Sequence, residues 1–240
     1  MKTDPAIRRL LLAACCIFPA APARADDILG YTEPVRIITV SAAETGVIAE
    51  MLVEEGAVVK KGQILARLDT ATLEAELDIA KAEAQLQKTR LLRLDELRSS
   101  SRASPEELEK ARTDLRIKDA QVRKIEAMIE TRIMRSAVDG VVTSVRRNPS
   151  EAVSPADRHV LTVVQIDRLT ANLFLPPEKA LKFKAGGQAM LLLDDREKVS
   201  ATVEFISPVT DAASGTVRVK FTIENAGHHH RSGGRCTLAE

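Results

Sequence analysis

Tryptophan is absent from these 240 residues, and one tyrosine with five phenylalanines brings the aromatic content to only 2%. Lys and Arg total 35 against 34 Asp and Glu, for a formal charge of +1. With neither rings for bases to stack on nor a basic stripe, nucleic-acid binding is disfavoured. Cysteine is scarce: Cys15 and Cys16 lie in the leader, and only Cys236 stands elsewhere. That excludes an intramolecular disulfide and a cysteine-based metal site, and Cys236, among apolar residues near a predicted strand end, reads as a small core residue. No nucleotide-binding glycine loop, Ser/His/Asp setting or paired metal ligands occur, so no catalytic residue, cofactor or metal is expected, and the chain reads as a non-enzyme.

Long apolar runs are missing too. The stretch from Leu10 to Ala21 falls short of the roughly 20 residues that span a bilayer. Behind Lys2, Arg8 and Arg9 and ahead of Ala23-Arg24-Ala25, it fits a cleaved signal peptide over 1–25 and a mature chain from Asp26. Two alternatives stay open: an uncleaved anchor, and a lipoprotein signal at Leu12-Ala13-Ala14-Cys15 that leaves Cys15 acylated.

What the chain does contain is a symmetric pattern. Residues 46–69 carry short β-rich runs (Val47, Ile48; Leu52, Val53; Val58, Val59; Ile64, Leu65, Leu68) broken by Gly46, Gly56 and Gly62, each read as a positive-φ turn. Residues 137–167 repeat it, with Asp139-Gly140 as a tight-turn signal before Val141, Val142 and Val145, then Val160 to Ile166. Neither half has enough apolar strand to close a core alone. The pair Lys60 and Lys61, beside a glycine, reads as a solvated turn.

Between the halves, 70–133 is helical. Leu73, Leu77, Ala80, Ala84, Gln87, Leu91 and Leu94 follow in steps of four and three, as do Leu108, Ala111, Leu115, Lys118, Val122, Ile125 and Ile129. This spacing predicts two helices returning antiparallel as a coiled-coil hairpin, with Gln87 and Lys118 as polar positions that fix register. The tip falls near 99–104: a serine run ends the first helix, and Ser104, Pro105, Glu106 and Glu107 start the second.

From 169 to 240 the pattern is strand-rich, with a short helical piece at Glu178–Phe183, and it predicts a small antiparallel β-barrel. His228, His229 and His230 read as a hairpin loop, since consecutive loop residues rarely converge on one ion. An N-terminal strand segment occupies 26–45. The fold class is thus mixed α and β, elongated and modular.

Several runs carry a resemblance. The stretch from Gly46 to Asp69, GVIAEMLVEEGAVVKKGQILARLD, resembles the first half of a biotinyl/lipoyl-type domain, and RSAVDGVV at Arg135–Val142 resembles the start of its second half in periplasmic adaptors, the membrane fusion proteins of HlyD type. Val203–Val209, Ser214–Val219 and Arg231–Gly234 resemble the signatures of the adaptor barrel. The resemblance implies a lipoyl-like domain split by the helical hairpin, without the carrier lysine's hairpin. It implies a ring, hexameric in the family, and two partners: an inner-membrane transporter, RND in preference to ABC, and a TolC-like outer-membrane channel. Localisation would be periplasmic, at the inner membrane. Arg93, Leu97 and Ser104 match the family's Arg-x3-Leu-x6-Ser spacing and by resemblance meet the channel's helical tips. The family adds a membrane-proximal domain from both chain ends, for which residues 28–45 are too few. Efflux of small molecules is the implied function; a type I secretion adaptor for proteins, or a lipoyl or biotin carrier, are the alternatives.

Overall fold

The computed structural model describes residues 29–99, 103–194 and 197–239. The leader 1–25, with Cys15, lies outside the described residues, as do 100–102 of the tip and the side chain of Ser99.

The order is β1 (Leu29–Ser41), β2 (Gly46–Met51), β3 (Val58–Val59), β4 (Ile64–Leu68), α1 (Ala71–Ser99) and α2 (Pro105–Glu130). Then come β5 (Ile133–Arg135), β6 (Gly140–Val145), β7 (Ala152–Val153), β8 (His159–Leu175), α3 (Pro177–Ala180), β9 (Gln188–Leu193), β10 (Glu197–Thr210), β11 (Val217–Glu224) and β12 (Arg235–Leu238). All strand pairings are antiparallel.

One core draws on both β-rich stretches. Ile48, Val59, Leu65 and Leu68 from the first pack with Val142, Val153, Leu161 and Val163 from the second, and Val40 of β1 joins them. A four-stranded sheet, β5-β4-β2-β7, covers this core from one side, and β3 and β6 continue the larger sheet on the other. Gly56 and Gly62 hold φ of 87° and 83° at their turns. The positive φ expected at Gly46 is not found: that residue opens β2 as ordinary extended strand, paired with Val153. Nor does Gly140 supply a turn; it is the first residue of β6.

The second core lies within a ring of pairings. β1 joins β12, then β9, β10, β11 and β8 follow, and β8 pairs back onto β1. Strand β11, VRVKFTIE, alternates strictly: Val217, Val219, Phe221 and Ile223 point inward while Arg218 is exposed. Phe221 is fully buried with the Phe183 ring edge-on at 5.6 Å, and Cys236 is buried beside them. The ring needs β1 to close: residues 169–240 contribute β8 to β12, and Leu29–Tyr31 supply the partner for Thr237–Arg235.

Candidate partner-binding surface on the helical pair

Helix α1 starts where the Asp69 carboxylate accepts the Ala71 N–H at 2.9 Å. Its 29 residues run about 43 Å at 1.5 Å per residue, and the 26 of α2 about 39 Å. Leu73, Ala80, Ala84, Leu108, Ala111 and Ile125 are buried, and Leu77, Gln87, Leu91, Leu94, Leu115, Lys118, Val122 and Ile129 are half-buried. Those are the positions of the four-three spacing, and the small alanines let the helices approach. Lys118 Nζ reaches Glu83 Oε2 across the pair at 2.7 Å, and Lys81 reaches Glu126 at 3.5 Å. A step forward along α1, from Lys81 to Glu83, is a step back along α2, from Glu126 to Lys118, so the helices run antiparallel.

At the base, the Arg132 guanidinium donates to the Asp69 carbonyl and lies 3.5 Å from Glu44. Beside it a cavity of about 300 Å³ is lined by Glu50, Arg67, Asp69, Thr70, Glu74 and Ile129. Apart from Ile129, a seam position, these residues carry no sequence signal beyond ordinary polarity, and none of them reads as a site from the sequence.

At the far end, Ser104 is the N-cap of α2: its hydroxyl oxygen accepts the Glu107 N–H at 3.1 Å, and Glu107 Oε2 accepts the Ser104 N–H at 2.9 Å. Hydrogen bonding to the carboxyl, first from the Ser104 backbone N–H and then from the Ser104 hydroxyl, holds Glu107 below the usual carboxylate range. Pro105 takes the first helical position, where a missing N–H costs nothing. Arg93 and Leu97 lie one turn apart on α1, both exposed, Leu97 by 42%. The Glu83–Lys118 register, carried toward the tip, brings Leu97 level with Ser104. Arg93 and Leu97 thus lie in the last two turns of α1 and Ser104 caps the start of α2, so all three stand at the same end of the pair.

The histidines do not form a comparable site. His230 Nδ1 sits 3.7 Å from Glu197, the loop is clasped by Asn225 onto the Ile166 and His230 carbonyls, and among the described residues no three His, Cys, Asp or Glu are grouped to hold a metal.

No family model matches the chain. The antibiotic efflux pump periplasmic linker ArpA of Pseudomonas putida is 28% identical over 247 residues, covering 95% of this chain and 66% of ArpA. The chain is homologous to efflux-pump periplasmic linkers. The multidrug resistance protein MexA of Pseudomonas aeruginosa is 26% identical over 225 residues, 83% of this chain and 56% of MexA. This chain spans about half to two thirds of the length of the curated relatives it matches. A solved MacA–MexA chimera bearing the Pseudomonas aeruginosa MexA α-hairpin superposes with a TM-score of 0.73 at 21% identity, over 89% of this chain and 81% of the chimera. The fold, sheet-rich domains with helices, is that of the membrane fusion proteins.

Proposed function

We propose that this protein is a periplasmic adaptor that links an inner-membrane transporter to an outer-membrane channel for efflux of small molecules. The observation that carries the reading is similarity to efflux-pump periplasmic linkers over most of the chain, and the placement of Arg93, Leu97 and Ser104 at the same end of a long helical pair supports it. On this reading α1 and α2 are a coiled-coil hairpin over 70–133. Residues 46–69 and 137–167 form the lipoyl-like domain, and 169–240 with the first residues of β1 form the β-barrel. The ring of strand pairings and the shared first core support that division.

The mechanism is geometric. The hairpin tip meets a TolC-like channel, the β-modules face an RND transporter, and six copies side by side form a sheath. The leader 1–25 exports the chain, with lipidation of Cys15 as the rival processing, and the protein works at the periplasmic side of the inner membrane without catalysing a reaction.

The test is a pull-down from detergent-solubilised envelopes, with wild type beside the Arg93→Asp/Leu97→Asp double variant. Recovery of channel and transporter by wild type, with loss of the channel alone from the variant, is the expected outcome. Undiminished channel recovery by the variant removes the tip assignment, and recovery of neither membrane protein by wild type removes the adaptor reading.

A further inference from the structure

The paired strands β1 and β8 run from the base of the helical pair, where Ser41 pairs with His159 and Glu44 meets Arg132, to the far end of the second core, where Leu175 pairs with Val217. That end is closed by α3 and the turn after it: Ala180 is buried, and Phe183 packs edge-on against Phe221. Leu181, which follows α3, is left 84% exposed, more than any other large apolar side chain among the described residues. Arg218 of β11 has Phe174, 51% exposed, as its partner on β8, and faces the irregular stretch of β10 that holds Val209, 70% exposed.

Five aromatic residues are among those described, and Phe183 and Phe221 belong to the second core. The other three, Tyr31, Phe174 and Phe205, are exposed on one wall of it. Tyr31 pairs with Asn172, Asn172 with Lys220 and Lys220 with Phe205, one row across β1, β8, β11 and β10, and Phe174 with Arg218 lies a row nearer the end. In a chain this poor in rings, their gathering at one exposed place marks a surface made for contact.

The charge at this end is mostly positive. Lys179, Lys182, Lys184 and Arg218 stand against Glu178 and Asp211, and the Asp211 carboxylate already accepts the Ala213 and Ser214 N–H groups. Lys182, Lys184 and Arg218 pair with no carboxylate among the described residues, whereas Lys220 is held by Glu204 at 2.9 Å and is left out of the set. The Arg218 guanidinium lies 5.8 Å from the centre of the Phe205 ring, a stacking contact that leaves its N–H groups open.

We propose that this end of the second core rests on an anionic phospholipid surface, with Leu181 and Phe174 in the headgroup layer and Lys182, Lys184 and Arg218 on lipid phosphates. The large apolar side chains stand apart on a closed, convex end with cations between them. That suits a fluid layer of phosphates and acyl chains, whereas a protein partner calls for a contiguous apolar centre with a polar rim. The contact lies at the opposite end of the molecule from the helical tip, so on the adaptor reading it faces the inner membrane beside the transporter. Only that orientation rests on the adaptor reading.

Tryptophan is absent from the chain, so Leu181→Trp places a single fluorescent reporter at the contact. The whole protein is mixed with vesicles of phosphatidylcholine containing about 30% phosphatidylglycerol. The emission is expected to shift to the blue and to be quenched by lipids brominated in their acyl chains, with little change on phosphatidylcholine alone. More lipid is needed at ~0.5 M salt, where exposed charges are screened. Combined with Lys182→Glu/Lys184→Glu, the same signal is expected to need at least about tenfold more lipid. Leu86→Trp, exposed on α1, is expected to show neither shift nor quenching.

An unshifted Leu181→Trp spectrum, an equal shift from Leu86→Trp, or an unchanged lipid requirement after charge reversal overturns the proposal. So does an unshifted spectrum joined to loss of the transporter alone from the pull-down with Lys182→Glu/Lys184→Glu, which assigns the surface to the transporter. Vesicle contact is measured with no other protein present, so its failure leaves the adaptor reading standing, and failure of the pull-down leaves the vesicle result standing.

Discussion

Gly140 shows how a residue legible in the sequence can be legible for the wrong reason. Asp139-Gly140 reads as a turn, yet Gly140 opens β6 with an ordinary φ, and a Cβ there would stand 2.4 Å from the Val164 carbonyl oxygen of β8. It is glycine because another backbone passes close by, which depends on tertiary register and leaves no local signal. Gly140→Ala should cost about 1–3 kcal/mol in urea unfolding, as overpacking against main chain does; a loss within error would mean β8 shifts freely. Cys236 was legible as a core residue from its apolar neighbours. Burial, and then the Asp194 carboxylate, push its thiol from an ordinary 9.0 up to about 11. Between those values the unfolded chain releases a proton that the folded chain keeps, so stability falls as pH rises from about 9 and levels off past 11. Cys236→Ala should lack that part of the decline when the two pH–stability curves are subtracted, and superimposable curves would contradict the burial effect.

At the scale of elements, the helical pair was the most readable part of the chain, because a repeat of 3.5 residues leaves every seam position in sequence and needs no knowledge of the rest of the fold. Each predicted seam residue is buried or half-buried. The N-cap was readable for a similar reason: the contacts among Ser104, Pro105 and Glu107 are all local. Ser104→Ala should lower stability by about 1 kcal/mol, while Ser104→Asp, which also caps, should leave it nearly unchanged. The second variant separates capping from partner contact: on the adaptor reading it folds normally and binds channel less well. Since the Glu107 carboxyl is held below its ordinary range, its contribution is present above that range and lost as pH falls through the lowered value. Acid titration followed by circular dichroism should show a step that Glu107→Gln lacks. The clasp made by Asn225 had no such local signature, since its partners include the carbonyl of Ile166, far away in sequence.

For the whole molecule, the least readable feature was β1. Pro34, between Glu33 and Val35, interrupts the alternation that would mark a long strand, and the register slips there between Pro34 and Arg36. Its partner β8 is 17 residues long and serves both cores: Val160, Leu161 and Val163 belong to the first, and Leu169, Ala171, Leu173 and Leu175 to the second. Val40 of β1 lies in the first core, while Thr32 is bound to the Gly234 carbonyl and Leu29–Tyr31 run beside β12. A two-stranded ribbon thus joins the cores, and its beginning closes the second. A chain starting at Arg36 keeps the pairs of β1 with 159–165 but loses every pair with β12 and with 169–172. That exposes two sheet edges and the apolar residues behind them. Amide exchange should then rise in β12 and in the 169–175 part of β8, while β2 and β4, packed through Ile48, Leu65 and Leu68, keep their protection. Equal loss across both cores would instead mean that the ribbon couples them into one cooperative unit, so that opening the ring unfolds the first core as well.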